Sequence, residues 1–269
     1  MSANHWCLAY AEESGLRAAV AGFLSEGLLG GQQVGYVGWG GDDELRGRLE
    51  GIGDVEELTR RGAARVTSFA ERFRRGEAPE PAKLLSFWSD ATDAALAAGF
   101  TALRAVADTT PWAGLGHEQR ARFLRGEQLV DRYRLDHPLT LLCAVDTSTL
   151  TGDALAETAC VHPFAEGVFT PFHLHATEDA DFALHGEIDA YDVALLERVL
   201  DSVPPGEGDG EVVVDAAGLD FIGHRSLFAL ERHAERSGRR AVVLRNASGA
   251  VVRLSELLDL RRLRVETTR

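Results

Sequence analysis

The sequence predicts an α/β protein in two parts: a larger parallel-sheet part, then a smaller α/β part, within 269 residues. Three observations carry this reading. Five apolar runs between His5 and Asp146 lack strict alternation and are separated by helical stretches, the pattern of strands covered by helices on both faces. Around Phe169 the pattern changes, and FHLHA and FALHGEID alternate apolar with polar positions as half-buried strands do. Beyond Gly210 the chain closes with strand, helix, strand, helix. The change of pattern places a boundary near Gly167, giving parts 1–166 and 167–269.

The elements follow in order. HWCLAY, His5 to Tyr10, is a first buried strand. Leu16, Val20, Phe23, Leu24 and Leu28 then recur at helical spacing and give one apolar stripe. Gly30 and Gly31 stop that helix. QVGYVGWG and AARVTSFA are the second and third strands, with an acidic helix from Asp42 to Leu58 between them. Glu80 to Ala98 is a long helix closed by Gly99. FTALRAVAD, Phe100 to Asp108, is a strand interrupted by Arg104, which is expected to pair with a carboxylate such as Glu127. His117 to Leu135 is a helix, and LTLLCAVD, Leu139 to Asp146, a strand. After the alternating pair comes a helix from Tyr191 to Ser202. PPGEGDG, Pro204 to Gly210, reads as a flexible turn. EVVVDAAGLDFI, HRSLFALERHAERSG, RRAVVLRN and GAVVRLSELLDL give strand, helix, strand and helix.

Composition narrows the function. The formal net charge is −14, which argues against a general nucleic-acid or anionic-membrane binder, because phosphate affinity rests on clustered positive charge. Arg261, Arg262 and Arg264 form a local basic cluster, read as a solvated helix end. Three cysteines, Cys7, Cys143 and Cys160, cannot build a fully paired disulfide framework. No signal-peptide pattern opens the chain, and no apolar run approaches the roughly 20 residues of a membrane helix. The expectation is a cytoplasmic protein with reduced thiols. Lys83 is the only lysine, so the lysine of a phosphate-binding P-loop is missing. The glycine-rich GWGGDD lacks a basic residue and reads as a turn.

The carboxyl ends of parallel strands are where ligands sit. That rule selects Tyr10, Glu12, Trp39, Asp108, Trp112 and Asp146 as a possible small-molecule cleft, aromatic with a few polar groups. Trp39 and Trp112 suit packing equally well. His5 and Cys7 lie two apart, on one side of one strand, and Cys143 lies on another. With His162 these are zinc ligands by type, but nothing in their spacing demands a metal, and buried cysteine is common in cores. Neither a metal nor a cofactor is expected. No cysteine stands at a helix start or strained turn, as a nucleophile would. The chain is therefore expected not to be an enzyme.

HGEIDAYDVALLERVL, VVVDAAGLDFIGHRSLFAL and RRAVVLRNASGAVVRLSELLDLRRL together resemble, in order, the elements of the STAS family, named for sulfate transporters and anti-sigma-factor antagonists. The resemblance covers about Phe169 to Glu266. It implies a docking module for an anti-sigma factor or related serine kinase. In partner-switching members a Ser or Thr after the central strand is phosphorylated, and the added charge disrupts binding through desolvation and repulsion. Where the family commonly carries Asp-Ser-Ser-Gly, this chain has Gly223, His224, Arg225 and Ser226. Arg225 cannot accept a phosphate. Ser226 is either a shifted acceptor or a small residue in a helix's first turn. His224 and Arg225 either reach carboxylates on a partner or cap a solvated turn.

HWCLAYAEE, FLSEGLLGGQQVGYV, FTALRAVADTTPW, DHPLTLLCAVD and VHP resemble, in order, blocks of the MEDS family, a bacterial sensory type. The span is about His5 to Pro163. This resemblance implies a RecA-like frame without a phosphate loop. Where the loop would stand, the chain has Ala11, Glu12, Glu13, Ser14 and Gly15, and two carboxylates there repel a triphosphate. The resulting expectation is a signalling regulator that senses a small molecule in its first part and docks a protein through its second. The alternatives are a RecA-like nucleotide-binding enzyme and a constitutive scaffold.

Overall fold

The computed structural model of the chain describes residues 4–202 and 210–267. The first part contains β1 (His5–Tyr10), α1 (Glu13–Leu29), β2 (Gln33–Gly38), α2 (Asp42–Gly47), α3 (Val55–Arg60), β3 (Ala64–Ser68), α4 (Pro81–Ala97), β4 (Leu103–Asp108), α5 (Thr110–Ala113), α6 (His117–Tyr133), β5 (Leu139–Asp146), α7 (Gly152–Cys160) and β6 (Phe164–Glu166). Its six strands form one parallel sheet in the order β3-β2-β4-β5-β1-β6.

That order explains where the helices lie. The chain moves one way across the sheet from β1 to β2 to β3, then the other way through β4 and β5 to β6. Right-handed crossovers therefore put α1 to α3 on one face and α4, α6 and α7 on the other. The two apolar clusters agree. Leu8, Tyr36, Val106 and Leu142 meet Leu16, Val20, Leu24 and Leu45 on the first face. Cys7, Val37, Ala105 and Leu141 meet Phe87, Trp88, Phe123 and Leu124 on the second.

Two expectations change here. The acidic helix from Asp42 to Leu58 is two short helices. Gly51 and Gly53 between them take left-handed φ values of 97° and 120°, which a continuing helix cannot contain. Asp54 then starts α3 afresh, its carboxylate accepting from the Glu57 amide at 3.0 Å. Arg104 does not pair with Glu127. Residues 103 to 108 alternate between the sheet faces, and Arg104 projects to the α1 face, where it meets Glu26, Gln32 and the Phe23 carbonyl. Glu127 lies on α6, on the opposite face. The helix α7 and the single turn α5 are additions to the elements read from sequence.

The second part contains β7 (Phe172–His175), β8 (Phe182–Ile188), α8 (Val193–Asp201), β9 (Glu211–Asp215), β10 (Leu219–Ile222), α9 (His224–Arg236), β11 (Ala241–Arg245), α10 (Gly249–Glu256) and β12 (Leu263–Val265). Its sheet is mixed: β7 pairs antiparallel with β8, and the remaining strands run parallel in the order β10-β8-β9-β11-β12. The run EVVVDAAGLDFI is thus two strands, interrupted at Ala216 to Gly218. The turn expected at Pro204 to Gly210 lies, Gly210 apart, outside the described residues. No helix among the described residues is long and apolar enough to cross a membrane.

The two sheets share a core. One apolar cluster runs from Cys7 and Leu141 through Phe172, Leu184 and Leu196 to Leu244 and Leu263. Its polar seam is made by α6 and α7. Gln128 Nε2 donates to the Leu174 carbonyl at 2.9 Å, and Arg132 donates to the carbonyls of Thr177, Ala180 and Asp181. Glu157 is buried between Arg120 of α6 and Arg198 of α8, with 2.7 Å to each.

Candidate functional site

The carboxyl edge of the first sheet divides the six cleft residues predicted from sequence. β1 and β5 are neighbours whose following helices, α1 and α7, leave to opposite faces, so a crevice opens between their ends. Tyr10 and Asp146 pair in register there, and Asp108 joins them from β4. The Asp108 carboxylate accepts from the Thr110 amide at 3.2 Å, and the Asp146 amide donates to Thr110 Oγ1 at 3.0 Å. Burial, with both carboxylates beside it, pushes the Tyr10 hydroxyl up to about 12. Burial also raises Asp108, against the pull of Thr110 and Arg48. These three residues form a compact, half-buried acid–phenol group.

The other three stand apart from it. Glu12 is exposed in the turn before α1. Trp112 is fully buried, and Trp39 packs edge-on against it at 5.6 Å. Phe69, Phe73 and Phe87 complete that aromatic cluster. For Trp112 the packing alternative is the one realised. A neighbouring cavity of about 430 Å³ lies on the same face against β2 and β3, with Val37, Phe87 and Trp88 on its apolar side and Arg65, Arg72 and Asp90 among its polar lining. Its size is in the range that small organic ligands occupy.

In the second part, Gly223 precedes α9 and the next residues form its first turn. His224 and Arg225 are exposed, whereas Ser226 is fully buried. The Ser226 hydroxyl donates to the Asp189 carbonyl at 3.4 Å. Of the two roles open to Ser226, this geometry favours the small first-turn residue. Phe221 of β10 is 51% exposed, and Tyr191, in the loop between β8 and α8, is 93% exposed. The Gly223 amide donates to the Ile188 carbonyl at 2.9 Å, which holds the turn beside the loop that carries Tyr191.

The most concentrated chemistry in the molecule lies elsewhere. His5, Glu127, Cys143 and His162 are all buried, and one N, O or S atom from each lies within 4.8 Å of the others. β1 supplies His5, β5 supplies Cys143, α6 supplies Glu127, and the turn after α7 supplies His162. His5 Nε2 is 3.4 Å from Cys143 Sγ and 3.4 Å from Glu127 Oε2. Cys143 Sγ lies 3.2 Å from the same carboxylate oxygen. His162 Nε2 is 3.4 Å from it too, but without the alignment of a hydrogen bond. Glu127 and Asp131, four apart on α6, share the buried face of that helix. Asp131 accepts from His5 Nδ1 at 3.0 Å, from Arg134 Nε at 2.6 Å and from the Ala176 amide at 2.6 Å.

The electrostatics follow from burial and these contacts. Burial opposes charge on Glu127, yet its contacts with His162 and His5 outweigh it and hold the acid down at about 2. Burial opposes charge on His5 as well, and the Asp131 and Glu127 carboxylates still raise it above the ordinary range. His162 is pushed down by burial and by His5. Burial drives the Cys143 thiol well up, with Glu127 adding to it. Sequence reading assembled three members of this cluster by ligand type. It misplaced Glu127 and included Cys7, which packs in the core and is not in the set. The missing signal was present in α6: Glu127 and Asp131 fall on the same helical face as Phe123, Leu124 and Val130, where a carboxylate needs a partner.

No curated protein matches the sequence. Residues 4–163 match the model of the MEDS family, described as the methanogen/methylotroph, DcmR sensory domain. That span contains β1 to α7, the acid–phenol group and all four members of the buried cluster. With more than half of its length inside the match, the chain belongs to the MEDS family.

Proposed function

We propose that the chain is a signal-transduction regulator acting by binding alone, with no catalytic turnover. In this reading residues 1–166 are the sensory domain and take a small ligand. Residues 167–269 are a STAS-like, anti-sigma-factor-antagonist-like domain that delivers the output by docking an anti-sigma factor or related serine kinase. Membership of a sensory family supports the signalling role. The docking role rests on one observation: the first turn of α9 presents exposed His224 and Arg225 directly after β10, whose Phe221 is also exposed. Arginine is enriched in interface hot spots, and guanidinium binds carboxylates bidentately.

The burial of Ser226 favours a permanently presented surface over a phosphorylation switch. A dianionic group on that hydroxyl would have to enter the core at large desolvation cost. For the ligand, the acid–phenol group at the β1–β5 crevice and the cavity against β2 are the two places of suitable chemistry.

Calorimetric titration of the full chain against a panel of anti-sigma serine kinases, with and without ATP, tests the docking. One member binds, and Arg225→Glu weakens that complex about tenfold, the scale of a lost charge-assisted pair, while thermal melting stays unchanged. Absence of any complex, or an equal affinity for the variant, contradicts the docking role.

A further inference from the structure

Three features of the buried cluster need explanation together. Both imidazoles are fixed in the same tautomeric sense. His5 Nδ1 faces the Asp131 carboxylate at 3.0 Å, and His162 Nδ1 faces the Thr158 carbonyl at 2.8 Å. A carbonyl oxygen only accepts, so His162 Nδ1 carries the proton and His162 Nε2 presents a lone pair. That nitrogen is buried, has no hydrogen-bond partner, and lies 3.4 Å from an oxygen of Glu127. Two acceptors that face each other in a dry interior repel unless a cation lies between them.

The separations fit a metal ion. Tetrahedral zinc with bonds of about 2.0–2.3 Å has ligand-to-ligand edges of roughly 3.3–3.7 Å. Four of the six edges, His5 to Cys143, His5 to Glu127, His162 to Glu127 and Cys143 to Glu127, run from 3.2 to 3.4 Å, and all six lie within 4.8 Å. Beyond the ligand atoms, each histidine's second nitrogen meets an oxygen acceptor, one of them a carboxylate. This is the outer arrangement that orients metal-bound imidazoles.

We propose that His5, Glu127, Cys143 and His162 form a tetrahedral transition-metal site that takes zinc. Two imidazole nitrogens, one thiolate and one carboxylate are a borderline-soft set suited to that ion. On binding, Cys143 gives up its thiol proton to solvent and the ion takes its place. Four protein ligands close the site, so its role is structural. It ties β1, β5, α6 and the end of α7 at one point. Asp131, one turn along α6 from Glu127, bonds the Ala176 amide just past β7, and the His162 carbonyl accepts from His173 of β7 at 2.8 Å. The metal thus braces the wall on which the second sheet rests. This inference does not depend on the docking reading, and either can fail alone.

Metal analysis and cobalt spectroscopy of the purified full chain test it. The chain carries about one zinc per molecule, and after chelation it takes up cobalt(II) with tetrahedral ligand-field bands and one thiolate charge-transfer band. Cys143→Ser loses the charge-transfer band and Cys7→Ser keeps it. Asp131→Asn lowers zinc affinity by about 10- to 100-fold through the His5 orientation. Should Cys143→Ser fail to fold, the cobalt spectrum of the unaltered chain decides. A folded, chelated chain that takes up neither ion overturns the proposal. So does cobalt bound without a thiolate band, or a band that Cys7→Ser removes and Cys143→Ser retains.

Discussion

His175 at the end of β7 is nearly buried. Its ring meets His185 edge-on at 4.7 Å, its Nδ1 donates to the Ala176 carbonyl at 3.0 Å, and Asp131 of α6 and Arg134 just past its end lie nearby. Burial holds its imidazole down at about 4, against the opposing pull of Ala176 and Asp131. The folded form thus binds a proton later than the unfolded form, whose imidazole titrates near its usual 6.5. Stability from this residue is complete above that value and is lost as pH falls toward 4. Between pH 8 and pH 5 the loss is about 2 kcal/mol. Urea denaturation of the native chain and His175→Leu across that range measures it: the native profile falls more steeply by that amount. Parallel profiles would show that His175 is already charged in the folded state. Individual side chains were also where sequence reading was weakest. Ligand type brought His5, Cys143 and His162 into one set, but only the fold brings together residues 5, 127, 143 and 162. Ser226 gave no sign in the sequence of whether its hydroxyl faces solvent or core.

Elements were read more securely, because hydrophobic period depends on local spacing alone. The stripe on α1 and the continuous runs of β4 and β5 took the expected form, whereas β7 and β8 do not alternate as expected: Phe182, Ala183 and Leu184 are buried in succession, because β8 lies inside its sheet between β9 and β10. The failures have local causes. Two left-handed glycines divide α2 from α3. The buried residues of α7 are Glu157, Thr158, Ala159 and Cys160, which give no strong apolar stripe. Yet α7 carries a consequential contact. Glu157, 2% exposed, stands between Arg120 and Arg198, and its removal leaves two guanidinium groups without their buried partner. Glu157→Ala is expected to destabilise the chain by about 3 kcal/mol, the scale of breaking a buried ion pair from one side. Thermal melting of the variant checks this. A shift equivalent to less than about 1 kcal/mol, the worth of an exposed pair, would mean that water reaches Glu157.

For the molecule as a whole, the sequence distinguished two patterns and set their boundary near Gly167. The first sheet ends at Glu166 and the second begins at Phe172. What pattern does not carry is that α6 and α7 serve both sheets, because contacts between distant segments leave no local period. One apolar cluster crosses from Cys7 to Leu263, and polar bonds from Gln128, Asp131 and Arg132 stitch β7 and the following loop to α6. The two sheets are thus joined through one apolar cluster and a polar seam. Differential scanning calorimetry of the full chain and of Glu157→Ala bears on this arrangement. A shared core predicts one cooperative transition, with calorimetric and van't Hoff enthalpies equal, moved to lower temperature as a whole in the variant. Two resolved transitions, only one of them shifted by Glu157→Ala, would contradict it.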